Sequence, residues 1–275
     1  MDNNIDISVM PYAKKHPAVM GIVNVTPDSF SDGKDSEKAI DKALRLIDEG
    51  ADIIDIGGES TRPGAMEVSE DTEKKRVLDL LLPLKKMRPQ ICVSIDTRKS
   101  SCAEVFLDNG ADIINDVSGL TYSADMAEIA AKYNSGLIIM HSAAKGVADA
   151  KCFYSDVVSD VCDFLQKQKN YAIQCGVKPE NIIIDPGIGF SKNSSENFEL
   201  LKNIKRLQNI APVLIGHSRK RFIRDFLGID TPKDSDGATA LLSVFAAVDG
   251  CAVLRVHNVK MTVDFLRLTD KLRSS

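Results

Sequence analysis

The chain has 275 residues, of which 44% are hydrophobic and 27% are charged, and its formal net charge is −4. This length supplies a sizeable core and excludes both a small disulfide-stapled module and a wholly disordered chain. The acidic balance disfavours nucleic acid and anionic membrane surfaces as partners.

Short apolar runs of strand length recur along the chain, and the stretches between them carry apolar residues at helical spacing. Most runs are continuous rather than alternating, which is typical of parallel strands covered on both faces. The predicted strands are residues 18–25, 52–56, 91–95, 113–117, 137–140, 182–184, 213–215 and 251–256. The predicted helices are residues 38–49, 70–86, 101–109, 125–133, 156–175, 196–207, 236–248 and 259–272. In the helix at 70–86, the residues expected to be buried are Val77, Leu78, Leu81 and Leu82.

Two of the helix-to-strand junctions share a sequence. Gly50-Ala-Asp-Ile-Ile-Asp recurs as Gly110-Ala-Asp-Ile-Ile-Asn. Glycine favours helix termination, so each segment predicts the end of a helix followed by the start of a strand. Because no fixed period continues along the chain, a shared architecture explains this repeat at least as well as a duplication.

Strand and helix alternate through eight units, and no Pro-rich, Ser-rich or charged linker divides them. This pattern predicts an α/β fold of one domain, a (β/α)₈ TIM barrel over residues 18–275, preceded by a partly flexible extension at 1–17. A doubly wound open sheet is the alternative. In a barrel the active site lies at the carboxyl ends of the strands, and candidate residues are therefore sought there.

Every predicted strand ends in polar side chains. Asp or Asn at such a position is commonly a helix cap or a turn, as Asp96 and Asp116 could be, and His141 alone would fit a core histidine. A barrel, however, directs all these positions into one cavity, which favours a functional site. The polar residues at the strand ends are Asn24, Asp55, Asp96, Asn115, Asp116, His141, Asp185, His217, Ser218, Arg219, Lys220, Arg255 and His257.

The charges at these ends, together with Arg62 in the loop after the second strand, divide into two groups. Guanidinium and ammonium groups suit phosphate or carboxylate, whereas buried carboxylates suit the N–H groups of a heterocycle or a metal ion. The pattern predicts a ligand that combines a nitrogen heterocycle with an anion. The cationic group comprises Arg62, Arg219, Lys220, Arg255 and His257, and the acidic group comprises Asp55, Asp96 and Asp185.

Cysteine usage and hydropathy point to a reducing compartment. The six cysteines contain no C-x-x-C pair and no zinc spacing with the four histidines. No apolar run approaches the roughly 20 residues needed to span a bilayer. We therefore expect a soluble cytoplasmic protein. The chain also lacks a P-loop, a complete dinucleotide fingerprint, a G-x-S-x-G elbow and an H-E-x-x-H motif.

In its strand-end motifs the sequence resembles the dihydropteroate synthase family, the folate-pathway enzymes that sulfonamide drugs target. The resemblance runs from about Val19 to Val259. The matching motifs are Met20-Gly-Ile-Val-Asn24-Val-Thr-Pro-Asp-Ser-Phe-Ser-Asp-Gly33, Asp55-Ile-Gly-Gly-Glu-Ser-Thr-Arg-Pro-Gly64, Ser94-Ile-Asp96-Thr, Ile114-Asn115-Asp116, Asp185-Pro-Gly-Ile-Gly-Phe190, Ser218-Arg-Lys220 and Arg255-Val-His257. The family fold is the (β/α)₈ barrel.

The resemblance implies condensation of 6-hydroxymethyl-7,8-dihydropterin diphosphate with p-aminobenzoate, in which diphosphate leaves first and the amine traps a pterin cation. It also implies a homodimer and a Mg²⁺ ion bound by Asn24. The implied pterin residues are Asp96, Asn115, Asp185 and Lys220. The implied diphosphate residues are Asn24, Arg62, Arg255 and His257. The implied p-aminobenzoate residues are Phe30, Thr61, Pro63, Ser218 and Arg219. The implied catalytic residues are Asp96, Asp185, Lys220 and Arg255.

The chain departs from the family pattern at two places. The family usually has Met-His-Met-Gln-Gly after the fifth strand, where this chain has Met140-His141-Ser-Ala-Ala-Lys-Gly146, and it often has an apolar residue at the position of His217. Two other functions remain as alternatives. One is a corrinoid-dependent methyltransferase domain that binds methyltetrahydrofolate, and the other is a non-catalytic pterin-binding paralogue. The paralogue would be expected to lack Asn24, Arg62, Lys220 or Arg255, and all four are present.

Overall fold

Eight parallel strands form one sheet in the order β6-β5-β4-β3-β2-β1-β8-β7, and a bridge between Ile184 and Val213 joins its two edges. The structure is a computed structural model that describes residues 16–25, 35–60, 66–143, 146 and 152–274. The strands are β1 (Ala18–Asn24), β2 (Ile53–Gly57), β3 (Cys92–Asp96), β4 (Ile113–Asp116), β5 (Gly136–Met140), β6 (Ile182–Asp185), β7 (Leu214–Ile215) and β8 (Val253–Val256). The sheet closes into the predicted (β/α)₈ barrel.

Helices follow the strands and cover the outside of the barrel. Each has an apolar face against the sheet, as helices in layered folds require. They are α1 (Asp35–Asp48), α2 (Glu70–Met87), α3 (Ser100–Asp108), α4 (Met126–Tyr133), α5 (Val157–Gln174), α6 (Ser194–Lys202), α7 (Ile204–Gln208), α8 (Arg221–Leu227), α9 (Asp236–Val248) and α10 (Val259–Arg273). Short 3₁₀ turns lie at Pro179–Asn181 and Pro232–Ser235. No described helix is long and apolar enough to cross a membrane.

Alternation along the strands decides which side chains enter the barrel. In β2, Ile53 belongs to the core inside the barrel, whereas Ile54 and Ile56 pack outward against the helices. Because successive strand residues point to opposite faces, Asp55 lies on the same face as Ile53. The apolar layer inside the barrel is formed by Ala18, Met20, Ile53, Cys92, Ile113, Ile138, Ile183, Leu214, Ala252 and Val253. In several strands the residue two positions after a member of this layer, such as Asp55 after Ile53, also points into the barrel and lies nearer the carboxyl end of the strand.

The repeated Gly-Ala-Asp segments form the same contact at the amino ends of the strands. The side chain of Asp52 accepts a hydrogen bond from the backbone N–H of Val19 at 2.9 Å, and the side chain of Asp112 accepts one from Val93 N–H at 2.7 Å. The backbone N–H of each aspartate returns a 2.8 Å bond to the carbonyl of the same residue. We call these two Asp-to-strand contacts the aspartate latches.

The observed elements differ from the predicted ones in a few places. The helix predicted over 196–207 is two helices, α6 and α7, which meet at Asn203. The short helix α8 was not predicted. The expectation that Leu82 is buried is wrong: its exposed fraction is 49%, whereas Leu80 and Leu84 are buried, because they lie with Val77 on the face that meets the sheet. The predicted extension at 1–17 lies outside the described residues except for positions 16 and 17.

Candidate active site

A guanidinium group bridges two carboxylates above the apolar layer of the barrel. Arg255, on β8, donates from Nε to Asp55 Oδ2 at 2.6 Å and from Nη2 to Asp96 Oδ2 at 2.8 Å. Asp55 is fully buried and also accepts a 2.7 Å hydrogen bond from Ser94 Oγ. Arg255 therefore holds the ends of β2 and β3 together across the barrel interior. The structure thus brings Arg255, from the predicted cationic group, into contact with Asp55 and Asp96, from the predicted acidic group.

The charges in this cluster shift the titration of its members. Burial raises the pKa of Asp96 to about 7; the charge of Arg255 opposes that rise, and the charge of Asp55 adds to it. Burial also opposes the charge on Arg255, but Asp55 and Asp96 outweigh this effect and raise its pKa above the usual range. The cluster thus has a permanent cation between carboxylates, one of which titrates near neutral pH.

Asn115 adds an unused acceptor to the same cluster. Its Nδ2 lies 3.4 Å from Asp55 Oδ1, which orients the amide, while its Oδ1 is buried and has no hydrogen-bond partner among the described residues. A buried polar atom without a partner costs about 1–3 kcal/mol, and such atoms are rare in folded proteins. An N–H donor on a ligand would satisfy this oxygen.

Asp185 and Lys220 are set by the loop that follows β6. Asp185 Oδ1 accepts a 2.7 Å hydrogen bond from the backbone N–H of Gly187, and burial raises its pKa. Lys220 packs its stem against Gly189 and places Nζ 4.1 Å from the centre of the Phe190 ring. Burial, with a contribution from Arg255, lowers the pKa of Lys220 to about 8. The ring attracts the cation electrostatically and fixes its position.

A second polar cluster joins the ends of β7 and β8. Ser218 Oγ lies 3.0 Å from His257 Nδ1 and accepts a 3.1 Å hydrogen bond from the His257 backbone N–H. Arg219 makes a bidentate pair with Asp236, from Nε at 2.7 Å and Nη2 at 2.8 Å. Burial lowers the pKa of His257 to about 3, and Arg219, Arg255 and Lys42 contribute to that fall. His257 is therefore neutral at pH 7 among cations, in an environment suited to an anion.

Asn24 is the described candidate for a metal ligand. Its Oδ1 lies 3.1 Å from the point that a Cβ on Gly57 would occupy, at the carboxyl edge of β1 and β2. No group of three His, Cys, Asp or Glu side chains within the described residues is arranged to hold a metal ion. Mg²⁺ is commonly bound by one or two protein oxygens together with substrate phosphates and water. A single amide oxygen therefore fits Mg²⁺ that binds with a diphosphate, and does not fit a closed protein site.

Three other strand-end residues have structural partners. Asp116 accepts hydrogen bonds from the backbone N–H groups of Ser118 and Leu120, both at 2.8 Å, and so forms the turn that was its alternative reading. His217 Nε2 lies 2.9 Å from the carbonyl of Thr239, which accounts for a histidine where the family often has an apolar residue. His141 is buried beside Lys192. The predicted residues Phe30, Thr61, Arg62 and Pro63, and positions 144 and 145 of the divergent segment, lie outside the described residues.

The sequence analysis missed several residues that contact this site. Phe190 appeared only within a motif, and its position under Lys220 depends on the folded loop. Asp236 begins α9 and pairs with a residue in another loop, so only its place at a helix start could have suggested it. Lys192 follows the same motif as Phe190, and a lysine next to an otherwise apolar, glycine-rich loop is the signal that could have identified it.

Comparisons with known proteins identify the family that the chain resembles. A family described as pterin binding enzyme matches residues 20–257. Dihydropteroate synthase of Streptococcus pyogenes serotype M6 is 45% identical over 260 residues, which covers 93% of this chain and 95% of that protein. The Bacillus subtilis dihydropteroate synthase is 39% identical over 269 residues, which covers 96% of this chain and 91% of that protein.

Solved structures show the same relationship. A structure of Xanthomonas albilineans dihydropteroate synthase with 4-aminobenzoic acid matches with a TM-score of 0.89 at 38% identity, and covers 94% of each chain. A structure of the enzyme from the same organism in complex with 7,8-dihydropteroate matches with a TM-score of 0.86 at 35% identity, again over 94% of each chain.

Proposed function

This chain belongs to the pterin-binding enzyme family, and within it to the dihydropteroate synthases. We propose that its two polar clusters bind different parts of the pterin substrate of these enzymes. The enzyme is a transferase that condenses 6-hydroxymethyl-7,8-dihydropterin diphosphate with p-aminobenzoate to give 7,8-dihydropteroate and diphosphate in folate synthesis. In this proposal the cluster inside the barrel binds the pterin and the cluster at β7 and β8 faces the anion. The unpartnered Asn115 Oδ1 beside the buried carboxylates is the observation that carries the assignment.

Pterin binding follows from the donors and acceptors of the inner cluster. A pterin presents an amino group and ring N–H groups along one edge, with a carbonyl and ring nitrogens beside them. Asp96, Asp185 and Asn115 Oδ1 supply acceptors for that edge, and Lys220 supplies a donor. A heterocycle bound in this way satisfies groups that are costly to leave buried and unpaired.

The charge balance supports departure of diphosphate before attack by the amine. With all three carboxylates ionised, Arg255 and Lys220 neutralise two of Asp55, Asp96 and Asp185 and leave one negative charge in excess. A pterin that becomes cationic as diphosphate leaves is stabilised by this excess, and the interaction is strong in a buried site. The weakly nucleophilic amine of p-aminobenzoate then traps the cation, and no protein nucleophile is required.

The leaving diphosphate faces the second cluster. His257 is neutral in the free protein because burial, and then the cations around it, lower its pKa; a bound anion would raise that pKa and favour a donated proton. Arg255 and the Arg62 side chain complete the proposed anion-binding set. Asn24 would hold Mg²⁺, which when bound neutralises phosphate charge. The Arg219 guanidinium pairs with Asp236. We assign to the shaping of the p-aminobenzoate site Arg219, Ser218, Phe30, Thr61 and Pro63, as the family resemblance implies.

The assay of choice follows diphosphate release and dihydropteroate formation with and without p-aminobenzoate and Mg²⁺. We expect Asp185→Ala and Lys220→Ala to lose at least about 100-fold in kcat/KM, because each removes a buried polar contact to the pterin. Lys202→Ala, an exposed lysine on α6, is the matched control and should retain wild-type activity. Chelation of Mg²⁺ with EDTA should abolish turnover, and added Mg²⁺ should restore it. Full activity of the Asp185→Ala, Lys220→Ala double variant would refute the site assignment.

The same assay separates the alternatives. A corrinoid-dependent methyltransferase domain would transfer a methyl group from methyltetrahydrofolate and form no dihydropteroate. A non-catalytic paralogue would bind pterin without releasing diphosphate.

All six cysteines are free thiols, which supports a reducing, cytoplasmic location.

A homodimer is proposed from an exposed apolar face on two adjacent helices. α9 and α10 pack against each other and expose large apolar side chains of a kind that a lone soluble domain seldom gathers in one place. A second copy of the chain would cover this face with the same surface. The exposed residues are Leu241, Phe245, Val248, Phe265, Leu268 and Leu272. Sedimentation should show a dimer that Phe245→Glu converts to a monomer, whereas Leu82→Glu, on α2, should leave the dimer intact.

A further inference from the structure

Lys192 ties three parts of the active-site wall together. Its Nζ lies 3.0 Å from His141 Nδ1, at the end of β5, and donates to the carbonyls of Gly187 at 3.1 Å and Phe190 at 3.0 Å. In its protonated form the lysine has three N–H donors, and these three acceptors use all of them. Burial lowers the pKa of His141 to about 3, so its Nδ1 is free to accept. Lys192 is thus a cross-link between β5 and the loop after β6.

The loop that Lys192 holds orients two of the groups assigned to the pterin. Gly187 donates its N–H to Asp185 Oδ1 at 2.7 Å and accepts from Lys192 through its carbonyl, so one residue is fixed on both sides. Phe190 carries the ring that supports Lys220, and its own carbonyl is bound by Lys192. A shift of this loop would therefore move both the Gly187 N–H that binds Asp185 and the Phe190 ring that contacts Lys220.

The loop packs so closely against His141 that a side chain at Gly187 would not fit. Gly187 has a φ of +67°, and a Cβ there would lie 2.1 Å from the His141 carbonyl oxygen. The backbone N–H of His141 donates to the Asp185 carbonyl at 2.8 Å, so β5 and β6 are in register at this point. The loop therefore passes within contact distance of His141, and Lys192 fixes it there.

We propose that Lys192 is a positioning residue for pterin binding, which acts by holding the loop from Gly187 to Phe190 and by placing a positive charge behind Asp185. Among the described residues, its nitrogen contacts His141, Gly187 and Phe190 and none of those assigned to the substrate, so its effect passes through Asp185, Phe190 and Lys220. This inference rests on the pterin role proposed for Asp185 and Lys220.

The charge contribution gives the proposal a readout that a purely structural role would lack. Burial raises the pKa of Asp185, while the Gly187 N–H, Lys220, Arg255 and Lys192 lower it. Burial lowers the pKa of Lys192 itself to about 7, against the opposing charges of Asp185 and Glu196, so Lys192 is cationic in the acidic range where Asp185 titrates. Loss of this cation raises the Asp185 pKa further, and an Asp185 that must be ionised to bind the pterin then fails at a higher pH. The acid limb of kcat/KM for the pterin substrate should therefore move to higher pH.

The test compares Lys192→Met, Lys192→Arg and the exposed control Lys202→Met in the full-length enzyme. For Lys192→Met we expect the KM for dihydropterin diphosphate to rise about tenfold and the acid limb to move up by about half a pH unit or more, with the KM for p-aminobenzoate within about twofold of wild type. Lys192→Arg should keep the acid limb at its wild-type position, because it keeps the charge. Lys202→Met should match wild type throughout.

The failures of the two proposals are distinguishable. If wild type and Lys202→Met form no dihydropteroate, the proposed function fails. If they are active and Lys192→Met has the wild-type pterin KM, or loses activity with an unmoved acid limb, the role of Lys192 is refuted.

Should Lys192→Met not fold, the partner residue provides the second test. His141→Asn keeps an acceptor near the Nδ1 position and His141→Leu removes it. We expect pterin KM to rise several-fold in His141→Leu and to stay near wild type in His141→Asn, and equal values in the two variants would refute the proposal.

Discussion

Asp96 is held in a state that costs the free enzyme stability, and Asp96→Asn should reveal that cost. In an unfolded chain an aspartate titrates near pH 3.9, whereas burial raises the pKa of Asp96 in the folded protein to about 7. Below pH 4 the group is protonated in both states and costs nothing. Between pH 4 and pH 7 the unfolded chain releases the proton and the folded chain retains it, so stability falls as pH rises through this window.

The size of the effect follows from the width of that window. Each pKa unit corresponds to about 1.4 kcal/mol. The shifted pKa of Asp96 should therefore lower the free energy of unfolding of the wild-type protein by about 2–3 kcal/mol between pH 5 and pH 8. An asparagine avoids this cost and can still accept the Arg255 hydrogen bond through Oδ1, while Asp55 continues to pair with Arg255. The stability of Asp96→Asn relative to wild type should therefore increase by about 2–3 kcal/mol from pH 5 to pH 8.

The assay is urea unfolding of the ligand-free protein at pH 5 and at pH 8, with Asp264→Asn as control. Asp264 is an exposed aspartate on α10 that pairs with Lys260, and its substitution should give equal shifts at the two pH values. The same Asp96→Asn variant should lose about 100-fold in kcat/KM, because a neutral amide no longer stabilises a cationic pterin. A stability difference between Asp96→Asn and wild type that is the same at pH 5 and pH 8 would refute the reasoning.

Two further substitutions test the surroundings of the site. Lys99→Met should lower the free energy of unfolding by about 3–5 kcal/mol in urea titrations, because it leaves the buried Glu73, 2.8 Å from Lys99 Nζ, without that cation; a loss below about 1 kcal/mol would contradict this. Gly189→Ala should raise the pterin KM about tenfold or more in steady-state kinetics, because its Cβ would lie 2.8 Å from Lys220 Cδ at a φ of +79°. Gly237→Ala, where a Cβ has open space, should leave that KM unchanged.

The sequence predicts the architecture well because a barrel repeats one strong pattern. Eight apolar runs separated by helical spacing define the strands, and the observed strand bounds differ from the predicted ones by at most two residues. The helix over 196–207 was drawn as one because its apolar spacing continues across Asn203, where the backbone leaves helical geometry at φ −111°, ψ 25°. Helix α8 is only seven residues long and begins directly after the motif ending in Lys220, so its periodicity is too short to detect.

The site was predictable in position but not in its pairings. Their places at strand ends make Asp96, Asp116 and Arg255 equally good candidates for site residues. In the folded strands, however, successive side chains alternate, so Asp96 and Arg255 point into the barrel and Asp116 forms a turn. The sequence indicates only that Arg219 is a cation, because its partner, Asp236, lies at the start of α9, a separate element. Pairings of this kind depend on distances between loops, which no spacing along the chain encodes.

The aspartate latches bear on the order in which the barrel assembles. Asp52 and Val19 are 33 residues apart in the chain, and Asp112 and Val93 are 19 apart, so each latch closes only one strand-helix-strand unit. The entropy lost in closing these shorter loops is lower than that lost in joining β1 to β8, by about 0.6 kcal/mol for each halving of loop length, and local contacts generally form faster than distant ones. Each unit can therefore acquire its strand pairing while the rest of the chain is still unfolded. The Arg255 bridge to Asp55 and Asp96 joins residues 200 and 159 positions apart and must await closure of the whole barrel, so the active site is among the last parts of the molecule to form.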